Sequence, residues 1–266
     1  MNSGKLVSVS GGEGPYKNII QALSRLDLSP FAGKKILIKP NCGREMKSCG
    51  SVNTHPQAVA AVIDAVRNVG AASIAVGESP ILGVNTIKAF ELSGIAAVAT
   101  ERNVPLIDMD KRKPVIKPVS NGRILDELKF CADIFDFDYI VSVPVAKAHM
   151  HTQVTLGIKN MKGCLWRHEK VRLHQLQYKE GISFPEKTLD TAISDLASLL
   201  LPNLTVVDGF LGMEGLGPSS GDAKESDFAV ASFHPLAADM VAAELMGFSF
   251  EEIHHLRIIK ERGIDS

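Results

Sequence analysis

The run Lys35-Ile36-Leu37-Ile38-Lys39, halted by Pro40, decides the fold. It is a short apolar segment ended by a residue that cannot donate to a ladder, and it reads as a strand. A helical pattern over residues 55–69 follows, with Thr54 as N-cap, Pro56 in the first turn and Gly70 at the close. Residues 72–77 read as the next strand, 84–93 as the next helix and 105–108 as a further strand. Upstream, residues 5–9 read as a strand and 16–26 as a helix with Ile19, Ile20 and Leu23 on one face. This β-α-β-α rhythm predicts an α/β fold, a mainly parallel sheet with helices on both faces.

The middle of the chain is less regular. Residues 114–128 suggest a β-hairpin turning at Asn121-Gly122, and 139–143 a buried strand. Residues 166–186, rich in basic and polar groups, read as a surface excursion or mobile loop. A helix over 187–200, a strand over 204–208, a glycine-rich loop running to Gly221, a last strand over 228–233 and helices over 235–246 and 250–262 complete the pattern. With no internal repeat, residues 1–266 read as a single domain. The pattern leaves room for two lobes with a site between them, divided near residues 110–135.

Composition bounds the function. Apolar residues make up 45% of the chain and charged residues 22%, as in soluble globular proteins. With 29 basic and 30 acidic residues, a whole-molecule role on nucleic acid or on a membrane is disfavoured. No signal-like segment is visible, and no apolar run nears the roughly 20 residues needed to span a bilayer. The expectation is a cytoplasmic protein, compatible with a homo-oligomer. Four cysteines in 266 residues do not suggest a disulfide framework.

Against this neutral background, residues 144–174 gather Lys147, Lys159, Lys162, Arg167, Lys170 and Arg172 with His149, His151, His168 and His174, and Glu169 is the only acidic residue among them. Such a local field attracts an anion, and imidazoles titrate near neutrality or hold metal. If extended, Lys147, His149 and His151 share one face, and an H-x-H pair can ligate a metal. Lys159 and Lys162 stack on one helical turn around Asn160, and an anion relieves their repulsion. Gly157 and Gly163 allow close backbone approach.

In open α/β sheets ligands bind beyond the carboxyl ends of strands, where Lys39 and Asn41 also fall. His55 at a helix start and Asp208 at a strand end are acid–base candidates, and Asp239 complements its own helix dipole. Cys42, Cys49 and Cys164 lie in or beside these loops as candidate ligands for a metal or an iron–sulfur cluster, although their C-x6-C spacing is not a standard one. The glycine-rich loop lacks a phosphate-loop or dinucleotide fingerprint, so nucleotide binding is not supported. A shared site requires the loop near residue 40 to meet the loop near residue 150.

Together, Lys39-Pro40-Asn41, Thr54-His55-Pro56-Gln57-Ala58-Val59, residues 76–80, 143–149, 154–163, Val207-Asp208-Gly209, residues 213–218 and Ala237-Ala238-Asp239 resemble the DUF362 family, a domain of unknown function. The resemblance covers nearly the whole chain and implies no defined activity. Some members carry ferredoxin-type segments, and this chain lacks the C-x2-C-x2-C run. A weaker likeness, over Thr54-His55 and Gly157-Ile158-Lys159, is to the nickel-dependent lactate racemase group. That likeness implies a lysine holding a nickel-bearing nucleotide and histidines exchanging a substrate proton.

Three functions follow as expectations. The first is an enzyme of isomerase, racemase or lyase type. In it Lys39, Asn41, Lys147, Lys159, Asn160 and Lys162 bind a small carboxylate or phosphate, and His149, His151, His55 or Asp208 moves a proton. The second is a redox protein using a divalent metal or iron–sulfur cluster on His149, His151, Cys42, Cys49 or Cys164. The third is a non-catalytic protein that docks an acidic partner or RNA through residues 166–174, although few aromatic residues there argue against base stacking.

Overall fold

The computed structural model describes residues 5–48, 51–178, 180 and 186–264. Its strands are β1 (Ser8–Gly11), β2 (Lys35–Pro40), β3 (Ser73–Glu78), β4 (Leu106–Asp108), β5 (Val115–Pro118), β6 (Glu127–Phe130), β7 (Tyr139–Val143), β8 (Val145–His149), β9 (Gln153–Thr155), β10 (Leu204–Glu214) and β11 (Asp222–Ser232). Its α-helices are α1 (Pro15–Ser24), α2 (Pro56–Asn68), α3 (Thr86–Ser93), α4 (Ile95–Glu101), α5 (Gly157–Asn160), α6 (Glu169–Arg172), α7 (Thr188–Ala197), α8 (Pro235–Leu245) and α9 (His254–Glu261).

The main sheet runs β1-β11-β10-β7-β2-β3-β4, with β8 and β9 hung from β10. From β10 to β4 neighbouring strands are parallel, and β1, β11 and β10 are antiparallel. The 35–40 run therefore lies inside the parallel part, between β7 and β3. Ile36 and Ile38 point into one apolar core, Leu37 into the other, and all three are fully buried. A strand with apolar side chains on both faces fits only where helices cover both faces. Helices α1, α2 and α4 supply the first core, and α7, α8 and α9 the second. Each fully buried Ile or Leu contributes roughly 1.5–3 kcal/mol. The mixed α/β architecture with a mostly parallel central sheet follows.

Several local expectations change. His55, not Thr54, is the N-cap of α2, its Nδ1 accepting from Gln57 N at 3.2 Å. The Thr54 hydroxyl is drawn across the chain instead, donating to Val143 O at 2.7 Å and accepting from Asn41 N at 2.8 Å. The first strand sits at Ser8–Gly11 rather than 5–9, in register with β11. A second helix, α4, follows Gly94, whose φ of 81° ends α3. The 114–128 hairpin forms as β5 and β6, and its loop residues Val119 and Leu125 pack into the second core.

The glycine-rich loop is largely strand. β10 runs on to Glu214 and β11 begins at Asp222, with a register shift between Gly209 and Leu211. Gly209 is required there, because a Cβ would fall 2.4 Å from the Phe228 ring. The described part of the 166–186 excursion lies at the surface, with Arg167, His168, His174 and Gln175 exposed, and is anchored at a few points. α6 buries Glu169 and Lys170, Leu173 joins the second core, and Trp166 Nε1 donates to Arg112 O at 2.9 Å. Residues 179 and 181–185 of that excursion lie outside the described residues.

Candidate functional site

The carboxyl ends of β2 and β3, the β8–β9 hairpin, α5 and α6 surround a cavity of about 420 Å³. The loops near residues 40 and 150 meet in it: Lys147 Nζ donates to Asn41 Oδ1 at 2.9 Å and to Val52 O at 2.8 Å. Among the described residues, Lys39, Arg44, Lys147, Lys159, Lys162 and Lys170 line the cavity, and Glu78 is the lining carboxylate. Six basic side chains facing one carboxylate gather in this cavity, in a molecule of net charge −1.

The floor is a saturated polar network. Lys39 is fully buried, 2.9 Å from the Glu78 carboxylate, and also donates to Pro40 O and Asn160 Oδ1 at 3.1 Å each. Asn160 Nδ2 donates to Lys39 O and Ser142 Oγ, while its Oδ1 also accepts from Asn41 Nδ2. Lys39 and Asn160 were expected to grip an anion, but their hydrogen bonds go to the protein, so they shape the floor. Gly163 lies against the ion pair: a Cβ there would fall 2.3 Å from Glu78 Oε1 and 2.4 Å from Lys39 Nζ. Asp239 ties α5 down, accepting from Gly157 N and Ile158 N at 2.8 and 2.9 Å. Its contribution is to this neighbouring turn as well as to its own helix.

Above the floor stand the reactive amines. Burial, aided by the Arg44 charge, lowers Lys147 to about 7. Burial and Lys170 lower Lys162 to about 7. Burial, with Lys162 and Lys147 adding repulsion, brings Lys159 well below the ordinary lysine range. Lys159 donates to Thr155 Oγ1 at 3.1 Å, and Lys162 Nζ lies 2.7 Å from His174 Nε2. Lys170 donates to Leu165 O at 2.7 Å and to the Ser79 hydroxyl.

The expected histidines stand in different surroundings. His149 Nδ1 accepts from His151 N at 3.1 Å, which puts the proton of the neutral ring on Nε2. Burial and the charge on Lys159 lower its pKa to about 2. His149 is thus a neutral hydrogen-bond donor rather than a base. His151 and His174 stand nearer the mouth, with ring centroids 6.0 Å apart. His55 and Asp208 are not among the lining residues: the Asp208 carboxylate accepts from His55 N at 2.7 Å and Phe210 N at 3.3 Å, anchoring the start of α2. Burial raises Asp208 to about 6.

Among the described residues, the expected cysteines Cys42 and Cys164 fall in different cores, the first and the second, and burial raises both thiols to about 12. Cys49 lies outside the described residues. Among the described residues, no three His, Cys, Asp or Glu side chains gather as a metal cage. Sequence reasoning passed over Arg44, Glu78 and Ser79 as site residues and left Lys170 and His174 unassigned. The one available signal was position, since Glu78 and Ser79 close β3 at the sheet's carboxyl edge.

This fold and cleft define a mixed α/β protein with a lysine-rich chamber at the carboxyl edge of its parallel strands. The chain belongs to the DUF362 family, a domain of unknown function, whose model matches residues 36–244. It is 26% identical over 214 residues to a thylakoid-associated protein of Synechocystis sp., covering 80% of this chain and 63% of that protein. In fold it is similar to a Thermotoga maritima protein of known crystal structure, with a TM-score of 0.53, 16% identity, and coverage of 89% and 60% of the two chains. It is also similar to the lactate racemase apoprotein of Thermoanaerobacterium thermosaccharolyticum, with a TM-score of 0.58, 12% identity, and coverage of 92% and 57%. The chain spans less than two thirds of the length of each of these proteins. Among the described residues, no helix is long and apolar enough to cross a membrane.

Proposed function

We propose that this protein is a cytoplasmic enzyme that binds a small carboxylate or phosphate in the Lys/His chamber and transfers a proton on it. The observation that carries this reading is the lining itself, six basic side chains against one carboxylate, with Lys147 held by Asn41 and Val52 and poised near neutrality. The neutral Lys147 amine keeps two N–H donors, which Asn41 Oδ1 and Val52 O accept. Its lone pair then occupies the remaining position of the nitrogen. A base held in this way by two acceptors is oriented before substrate arrives. Lys159 and Lys162 bind the anion, and the His149 Nε2–H donates to it. Seating an anion raises the lysine pKa values, so binding takes up protons and charges the groups that hold it. Removal of a proton from carbon beside a carboxylate, as in racemases, isomerases and lyases, is the chemistry this arrangement supports.

A nickel-bearing nucleotide, a divalent metal or an iron–sulfur cluster fits the donor set poorly. Among the described residues, the expected thiols Cys42 and Cys164 lie in separate cores, and the His149 Nδ1 lone pair is already engaged. The proton transfer proposed here uses the chain's own amines. It is tested by proton NMR in D2O with a panel of 2-hydroxy, 2-oxo and dicarboxylic acids. Exchange of the proton beside a carboxylate by the wild type, abolished in Lys147→Met, is the expected result. No exchange with any acid, together with unchanged phosphate and carboxylate affinity in Lys147→Met and Lys159→Met, refutes the reading.

A further inference from the structure

The mouth of the chamber has a character that its cations do not explain. Ile81, Leu82 and Met150 line the cavity and yet are 38%, 51% and 57% exposed. Met46 and Leu216, also exposed, sit on turns joined to the same opening: Arg44 Nε donates to Ser219 Oγ at 3.1 Å, and Met150 N donates to Gly217 O at 3.1 Å. Three large exposed apolar side chains on one cavity lining, with two more on adjoining turns, exceed the scatter of single surface residues. Beneath them a row of basic side chains, Arg44, Lys147, Lys159, Lys162 and Lys170, lines the same cavity. Glu78, the carboxylate on the lining, is already bonded to Lys39, Cys42 N and Ser79 N. Each amine that protonates to hold a ligand needs a negative charge beside it, so a head with two or more charges engages more of this lining than a singly charged one.

We propose that the ligand of this chamber is a free amphipathic polyanion. Its head carries two or more negative charges, as a diphosphate or a dicarboxylate does, and sits along the lysine row. Its hydrocarbon segment lies across Ile81, Leu82 and Met150. This rests on the anion-binding reading above and names the class of molecule that the same site takes. The row neutralises a charge spread over several atoms, and the rim removes the hydrocarbon from water. Each methylene so buried strengthens binding roughly fourfold, so a short chain on the rim contributes tenfold or more.

The test is calorimetry on the full chain at pH 6.5 with two matched pairs, pyrophosphate against geranyl diphosphate and succinate against 2-octylsuccinate. In at least one pair the chain-bearing molecule is expected to bind at least tenfold tighter. The double variant Ile81→Ser/Leu82→Ser, which alters only exposed positions, removes that advantage and keeps the affinity for the chainless head within threefold. Equal affinities within both pairs overturn the proposal and leave anion binding standing. No heat with any of the four molecules overturns both. Sedimentation with phosphatidylcholine vesicles containing phosphatidic acid separates the sources of such a ligand. Vesicle binding without a preference for the soluble chains overturns the proposal in favour of a bilayer surface.

Discussion

Replacing Lys147 by Met removes one amine of the chamber and keeps an unbranched side chain as far as the Cε position. The consequence can be worked out from linkage. In the folded protein burial and Arg44 hold Lys147 at about 7, while in the unfolded chain a lysine titrates at about 10.4. Below pH 7 both states are protonated, and the cost of the buried charge is fully present. Between pH 7 and about 10 the unfolded state binds the proton and the folded state does not, so wild-type stability rises with pH. The slope is about 1.4 kcal/mol per pH unit. Methionine has no such term. The stability of Lys147→Met relative to wild type should therefore be greatest near pH 6 and fall by about 3 kcal/mol by pH 9. Urea unfolding at half-unit intervals from pH 6 to 9, without phosphate or carboxylate buffers, measures it. Because Lys159 and Lys162 titrate in both proteins, their contributions largely cancel in the difference. A difference that stays flat across this range would falsify the picture of an isolated, desolvated amine.

Three further outcomes are expected. Glu78→Gln leaves Lys39 buried beside a neutral amide and should cost about 3–5 kcal/mol in urea unfolding, as stranding one member of a buried pair does; a loss under about 1 kcal/mol would show that the pair is dispensable. Gly163→Ala drives a methyl into Glu78 and Lys39 and should lower stability by about 2 kcal/mol or more, with a displaced ion pair in its crystal structure; wild-type stability would contradict the close approach. Anion affinity should weaken above pH 7 by up to about tenfold per pH unit as Lys162 loses its proton, since binding favours its charged form. Calorimetry at pH 8 in buffers of different ionisation enthalpy should register proton uptake, and buffer-independent heats would count against it.

The parts of this molecule that could be read from its residues are those where one rule dominates. β2 and β7 are apolar on both sides and α2 carries its proline and closing glycine, so period and punctuation agree with tertiary structure. β11 could not be read in full because residues 222–226, its outer half, are exposed and polar, and pairing with β10 rather than hydrophobicity defines them. The gathering of Lys147, Lys159 and Lys162 was legible as a density of charge. Which amines would be solvated, paired or stranded was not, because that depends on acceptors contributed by Asn41, Val52 and Glu78 from distant strands and loops. The His149 tautomer likewise depends on a backbone N–H two residues away. Asp208 lay at the edge where chemistry was sought, yet its carboxylate turned to the first residue of a helix.

The Asn160 amide binds four protein atoms at once, belonging to Lys39, Asn41 and Ser142. With every lone pair and proton engaged, it works as a keystone between α5 and two strands. Divergence toward a new guest would then leave this keystone alone and proceed through the turns overhead, at residues 43–46, 80–82 and 216–219, where substitutions alter selectivity without unsettling the masonry below.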